Sequence, residues 1–373
     1  MSPEPEPPGG ARLPAPGPAE PEGPALPPPR RLFSVRSARR AALLVVLALV
    51  VEYLLLPQIA GVRASLHLLG RVNIALVVLG AALETASLAS YAQLTRSVLP
   101  HGVSTFSRVW RIDMSSLAIS HVLPGGTAGG QGIGFRLLTQ EGVSGGDTVF
   151  ALGSQGIGSA VVLNVILWCA LVVSIPLYGL NPLYATAAAI GAVLMAVFGG
   201  LVVLFTKGRV GTVKVVRRIA VHVPRLAPER AERVIEDISA RLLAMARDRR
   251  LLVRAVLWAA ANWLLDAASL FVFLAAFGHV ESIDGLLVAY GLAFVMAALP
   301  LTPGGLGIVE AVLVPTLVGF GATRGVVALG VLAYRLFNFW LPIPAGAASY
   351  LSLQGRHWRR KSPKGPEESA RAA

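Results

Sequence analysis

The chain has 373 residues, 54% of them hydrophobic and 14% charged, with a mean hydropathy of +0.65. Soluble chains carry about 25% charged residues, so an ordinary water-soluble globule is excluded and the long apolar runs read as membrane helices. The formal net charge of +13 could suit nucleic acid, but its sorting into particular connections (below) makes that partner unnecessary.

Residues 1–39 form the first segment. Positions 1–29 are rich in Pro, Gly, Ala and Glu, which cannot bury enough apolar surface to fold, and Arg30, Arg31, Arg36, Arg39 and Arg40 lie close before the first apolar run. A disordered cytoplasmic tail is expected. The tail is too long and polar to open a secretory signal peptide, so the first apolar run, Ala41–Leu56, is expected to remain as an anchor. The membrane domain then covers 40–353, with further spans expected at Val72–Leu94, Val149–Tyr178, Leu183–Phe205, Leu251–Phe277 and Val326–Leu353. The connection 207–250 is crowded with Lys and Arg, from Lys207 and Arg209 to Arg249 and Arg250. The tail 354–373, expected to be disordered, carries Arg356, Arg359, Arg360, Lys361 and Lys364. By contrast 278–284 holds Glu281 and Asp284 without a basic residue. Basic connections stay inside, so both termini and 207–250 are expected to be cytoplasmic in a multi-pass plasma membrane protein.

That orientation forces a further conclusion. The second span ends inside near Arg96, Arg108 and Arg111, and the third starts inside near Arg136. Segment 112–135 therefore begins and ends on one side, and its apolar part, Ile112–Leu123, is too short to cross. The same reasoning makes 285–324 begin and end on the other side, with short arms Gly285–Leu299 and Leu306–Phe320. Each segment is broken by Pro-Gly-Gly, at Pro124-Gly125-Gly126 and at Pro303-Gly304-Gly305. The expected fold is an all-α polytopic transmembrane bundle. It has about six full spans plus two re-entrant or thin hairpins, arranged as an inverted repeat with a site where the breaks meet.

The candidate site follows from the breaks. Gly125, Gly126, Gly129, Gly130, Gln131 and Arg136 belong to the first, and Pro303, Gly304, Gly305, Gly307, Glu310 and Arg335 to the second. Broken helices open N–H groups at half-helix N-termini, where a lipid phosphate is favoured. The glycines also have the small-x-x-x-small spacing that packs membrane helices closely, and both readings stand. On the first reading, Ala at Gly125 and Gly126, or at Gly304 and Gly305, should stop transport while sparing insertion and stability. Glu310 gains about 0.3–1 kcal/mol from its helix dipole against a cost of roughly 2.5–3.5 kcal/mol for a charge at membrane depth. It therefore needs a partner, Arg335 first and Arg136 second. Glu84 lies mid-span; Asn262, Asp266 and Ser269 share one helix face; and Asn338 shares a face with Arg335. Glu84, Asn262, Asp266 and Asn338 are read as a polar groove for a headgroup, and Asn164 as an interhelical hydrogen-bonding residue. Cys169 is the one cysteine, and the histidines are scattered without ligand spacing, so neither metal nor cofactor is expected. There is no Walker A lysine and no G-x-S-x-G elbow.

The run Pro303-Gly304-Gly305-Leu306-Gly307-Ile308-Val309-Glu310-Ala311, with Ala333-Tyr334-Arg335-Leu336 and Phe339-Trp340-Leu341-Pro342 after it, resembles the lysylphosphatidylglycerol synthase transmembrane-region family. The resemblance covers roughly 40–350 and implies a flippase-like domain. Such a domain moves an anionic, aminoacylated or glycosylated lipid between leaflets, with membrane lipid as substrate and the phospholipid bilayer as surroundings. The family often has an acidic residue where Gln131 follows Gly130, and a basic-containing stretch where Ser154-Gln155 stands; Arg136 is kept. Only 354–373 follow the last span, so an aminoacyl-transferase domain and an enzymatic activity are not expected. Two alternatives remain open: a membrane-embedded lipid glycosyl or aminoacyl transferase, and a regulatory or scaffold subunit that engages a membrane or cytoplasmic protein partner.

Overall fold

A computed structural model describes residues 72–100, 105–123, 126–178, 182–207, 248–280, 282–298 and 302–361. The tail 1–39, the anchor Ala41–Leu56, Pro124 and Gly125, most of the basic connection and the chain beyond Lys361 lie outside the described residues. What is described is all helix and turn. The helices are α1 (Ile74–Val98), α2 (Phe106–Val122), α3 (Gly126–Gln140), α4 (Gly145–Tyr178), α5 (Pro182–Lys207), α6 (Arg249–Ala276) and α7 (Ile283–Ala297). A 3-10 turn at Pro303–Gly305 leads to α8 (Ile308–Gly319), and α9 (Arg324–Arg335) runs through a π-helical turn at Leu336–Trp340 into α10 (Pro342–Lys361).

The fold class expected from the sequence is the one observed. Among the described residues, α1, most of α4, α6 and the Arg324–Gln354 stretch of α9–α10 are each long and apolar enough to cross a membrane. Helix α5 covers the expected Leu183–Phe205, and α10 continues to Lys361, past the boundary expected at Leu353. Local sequence sets the helix starts. Asn73 accepts from the N–H groups of Ala75 and Leu76, Asp248 from those of Arg250 and Leu251, and Ser282 from that of Gly285.

Helices α1 and α6 run antiparallel along their lengths. At one end the Asn73 N–H donates to the Ala276 carbonyl; at the other, Arg254 Nη2 donates to the Ser97 carbonyl at 3.2 Å. Between them Asn262 Nδ2 donates to both the carbonyl and the hydroxyl of Ser87, and Ser269 Oγ donates to the Gly80 carbonyl at 3.0 Å. Interhelical polar bonds of this kind replace the hydrophobic drive that lipid surroundings remove.

Helices α2 and α3, and helices α7 and α8, form two hairpins that enter from opposite ends of this pair. Arg108 at the start of α2 pairs with Glu141, just past the end of α3, at 3.0 Å, so the first hairpin begins and ends at the Val98 side. In the second, a Cβ on Gly285 would lie 3.3 Å from the Phe320 ring, which brings the start of α7 to the end of α8. The arms of α7 and α8 are 15 and 12 residues long, about 22 and 18 Å at 1.5 Å per residue, against a hydrocarbon thickness of roughly 30 Å. The arms of the second hairpin are therefore short for a full crossing. Each hairpin has its own apolar core. Ile112, Ile133, Leu137 and Leu138 pack at one end; Leu286, Ala289, Val309, Leu313 and Leu317 pack at the other.

Candidate functional site

The two breaks meet. A Cβ on Gly126 would lie 3.4 Å from the Gly304 nitrogen and 3.8 Å from the Pro303 Cα. This juxtaposition is the central feature expected of the inverted repeat, and each break is built by its own local chemistry. Gly126, Gly304, Gly305 and Gly307 all have positive φ, at 33°, 55°, 70° and 81°. Side chains rarely adopt such backbone angles, so the bend depends on glycine.

The first hairpin uses its other glycines for packing. A Cβ on Gly130 would overlap Ser120 Oγ, and one on Gly134 would lie 3.0 Å from Ser116 Oγ, so small residues on both arms let the helices close. Gly129 meets Leu123 and Ile119 at ordinary distances. Gln131 Oε1 and Ser154 Oγ are buried atoms without a hydrogen-bond partner. Arg136 is half-buried and Gly125 is not described. Gln131 follows Pro124 by seven positions, as Glu310 follows Pro303, a correspondence that marks the repeat in the sequence itself.

At the second break three N–H groups are engaged. Gly305 donates to Thr302 O at 3.3 Å, Leu306 to Pro303 O at 3.1 Å, and Gly307 to Glu310 Oε2 at 2.7 Å. The last is half of a capping box that closes the start of α8. One expectation is corrected here. Ala at Gly304 or Gly305 cannot spare stability: a Cβ on Gly304 would lie 2.7 Å from His121 Cδ2 and collide with Phe339, and one on Gly305 would lie 2.7 Å from the Ala297 Cβ. The positive φ of both residues adds strain.

Behind the breaks lies a buried network. Glu310 Oε1 accepts from Arg335 Nε, so the first-choice partner inferred for Glu310 is the one it has. Arg335 is 1% exposed, lies 4.6 Å over the Phe339 ring, and donates through Nη1 to Asn338 Oδ1 at 3.2 Å. The Asn338 amide donates to Glu84 Oε1 at 3.2 Å and to Asp266 Oδ1 at 3.1 Å. Asp266 also accepts from the hydroxyls of Tyr290, at 2.6 Å, and Tyr334, at 2.8 Å. Glu84, Asp266 and Glu310 are all buried. The structure thus joins Glu84, Asp266 and Asn338 into an internal network. Asn262, bonded to Ser87, lies beside it on α6.

The π-helical turn explains why Asn338 reaches this position. Pro342 and Pro344 carry no N–H, so the regular ladder fails, and the Leu341 N–H donates to the Leu336 carbonyl five residues back at 2.9 Å. The Phe339 carbonyl is instead met by His121 Nδ1 at 3.0 Å. A carbonyl can only accept, so that nitrogen carries a hydrogen. The His121 and Phe339 rings stack at 4.4 Å, tying the first hairpin to the turn that carries Asn338.

Sequence reasoning missed several buried polar and aromatic residues. Asp113 on α2 is 3% exposed and accepts from Thr95 Oγ1 at 2.8 Å, and Gln155 donates to the same hydroxyl. An acid inside the apolar arm was the available signal. Tyr290, Tyr334 and His121 gave none of comparable strength, since aromatic residues fill membrane helices for many reasons. Asn164 is 1% exposed with both amide atoms unpartnered, so the hydrogen bonding expected of it is absent.

A "UPF0104 membrane protein" of Methanothermobacter thermautotrophicus is 22% identical over 241 residues, 62% of this chain and 71% of that protein. The "Inner membrane protein YbhN" of Escherichia coli is 26% identical over 95 residues, 26% of this chain and 29% of that protein. A family model described as the lysylphosphatidylglycerol synthase TM region matches residues 37–346. The chain belongs to that family of membrane proteins.

Proposed function

We propose that the protein is a lipid translocase of the plasma membrane, without enzymatic activity, which moves an anionic, aminoacylated or glycosylated lipid between leaflets. The observation that carries this reading is the meeting of two hairpin tips, at Gly126 and Pro303–Gly304, beside a buried charged network. Irregular backbone at membrane depth is tolerated only where protein or an aqueous cavity surrounds it, and transporters place their sites at such breaks. In this reading the headgroup passes near the tips while the acyl chains stay in lipid, and the tips part on alternate sides during the cycle. Glu310 and Arg335 hold the second break in shape. The basic connection 207–250 and both termini face the cytoplasm.

The test is headgroup accessibility in proteoliposomes. Full-length protein should speed the exposure of fluorescent phosphatidylglycerol, lysylphosphatidylglycerol or a glycolipid to an impermeant quencher, compared with protein-free vesicles. Rates equal to those of protein-free vesicles for all three lipids would overturn the reading.

A further inference from the structure

The network behind the hairpin tips holds three carboxyl groups, Glu84, Asp266 and Glu310, and the Arg335 guanidinium, each 6% exposed or less. Glu310 is matched by Arg335. Asp266 is met by Tyr290 from α7, Tyr334 from α9 and Asn338 from the π-helical turn. Glu84 is different. Its Oε1 accepts from Asn338, but its Oε2 is fully buried and has no hydrogen-bond partner.

The donors around Glu84 are already committed. The Asn338 amide serves Glu84 Oε1 and Asp266 Oδ1, both tyrosine hydroxyls serve Asp266, and the neighbouring Ser269 hydroxyl serves the Gly80 carbonyl. His121, from α2, meets the Phe339 carbonyl. An ionised pair of carboxylates sharing one amide would add two negative charges at membrane depth, each costing several kcal/mol where no countercharge answers it. One proton on the bare oxygen removes one of the two charges.

We propose that Glu84, backed by Asp266 and Asn338, is a binding site for an exchangeable proton, and that lipid movement is coupled to its uptake and release. Binding converts the Glu84 carboxylate to the acid and consumes one proton; release restores the carboxylate. Asn338 carries the change outward. Its amide bridges both acids, its Oδ1 accepts from Arg335, and it sits on the turn that His121 ties to the first hairpin. The site stands on the network alone, whereas the coupling rests on the translocase reading.

Two measurements on the full chain separate these parts. Infrared difference spectra recorded as pH is raised should show a carboxylic C=O band that the wild type loses and that Glu84→Gln lacks. Identical difference spectra for the two proteins would overturn the site. Should Glu84→Gln fail to fold, Glu84→Asp keeps the acid and should shift the band, while an unchanged band would count against the site. In proteoliposomes, an imposed gradient of ~1 pH unit should shift the steady-state leaflet distribution of labelled lipid about tenfold per coupled proton. Glu84→Gln should lose that shift. A wild type that shows the band but moves no lipid defeats the translocase reading and leaves the site intact. Lipid movement that follows a sodium gradient and ignores pH overturns the coupling.

Discussion

Arg335 holds the most demanding position in the molecule. It is 1% exposed, bonded to Glu310 and Asn338, and placed over Phe339. Removing one partner of such a pair leaves a buried charge unanswered, so Arg335→Ala should cost about 3–5 kcal/mol. Arg335→Ala with Glu310→Ala should cost less than Arg335→Ala alone, because no carboxylate is then stranded. Thermal unfolding in detergent separates the outcomes, and equal losses would show that the pair is not coupled. This pairing was legible in the sequence because a charged acid at membrane depth demands a partner. The Tyr290 and Tyr334 bonds to Asp266 were not legible, since they join α6 to α7 and α9 and depend on how those helices cross. Likewise, the positive φ of Gly304 could be foreseen from Pro-Gly-Gly, but its neighbours could not. His121 and Phe339 come to it from opposite parts of the chain.

Glycines show how the elements hold each other. A Cβ on Gly346 in α10 would overlap the Met114 carbonyl and press on Ala118 of α2, so this crossing depends on the missing side chain. Gly346→Ala should therefore destabilise the protein by about 1–3 kcal/mol through overpacking. Gly132 in α3 has nothing within 4 Å of the position its Cβ would take, and Gly132→Ala should be neutral or stabilising by up to about 1 kcal/mol. Denaturation of the two variants side by side checks the assignment, and similar behaviour would contradict the α2–α10 packing. The helices themselves were readable from apolar length and charge, with ends displaced by a few residues where Asn73 and Asp248 supply caps. The break in the last span was not readable as a π-helical turn. Pro342 and Pro344 announce a lost ladder, yet the hydrogen-bond register that replaces it is set by packing.

At the scale of the whole molecule, the sorting of basic residues implied two hairpins of opposite sense, and the structure places their tips together. Charge parity alone could carry that inference, because a segment too short to cross must return to its own side. Sidedness itself is open to direct test. Val215→Cys and Ser362→Cys should resist an impermeant thiol reagent in intact cells while Ser282→Cys reacts; the reverse pattern would invert the orientation. Lipid movement on the proposed mechanism requires the tips to meet and part. Cysteines introduced as Thr127→Cys and Thr302→Cys, with Cys169→Ala, leave the glycine bends intact and flank the point where a Gly126 Cβ would lie 3.8 Å from the Pro303 Cα, within reach of a short reducible thiol cross-linker. The measurement is lipid headgroup accessibility in proteoliposomes before and after cross-linking, and again after reduction. An intramolecular cross-link should stop movement and a reductant should restore it. Failure of the pair to cross-link, or cross-linked protein that moves lipid at the reduced rate, would contradict the meeting and parting of the tips.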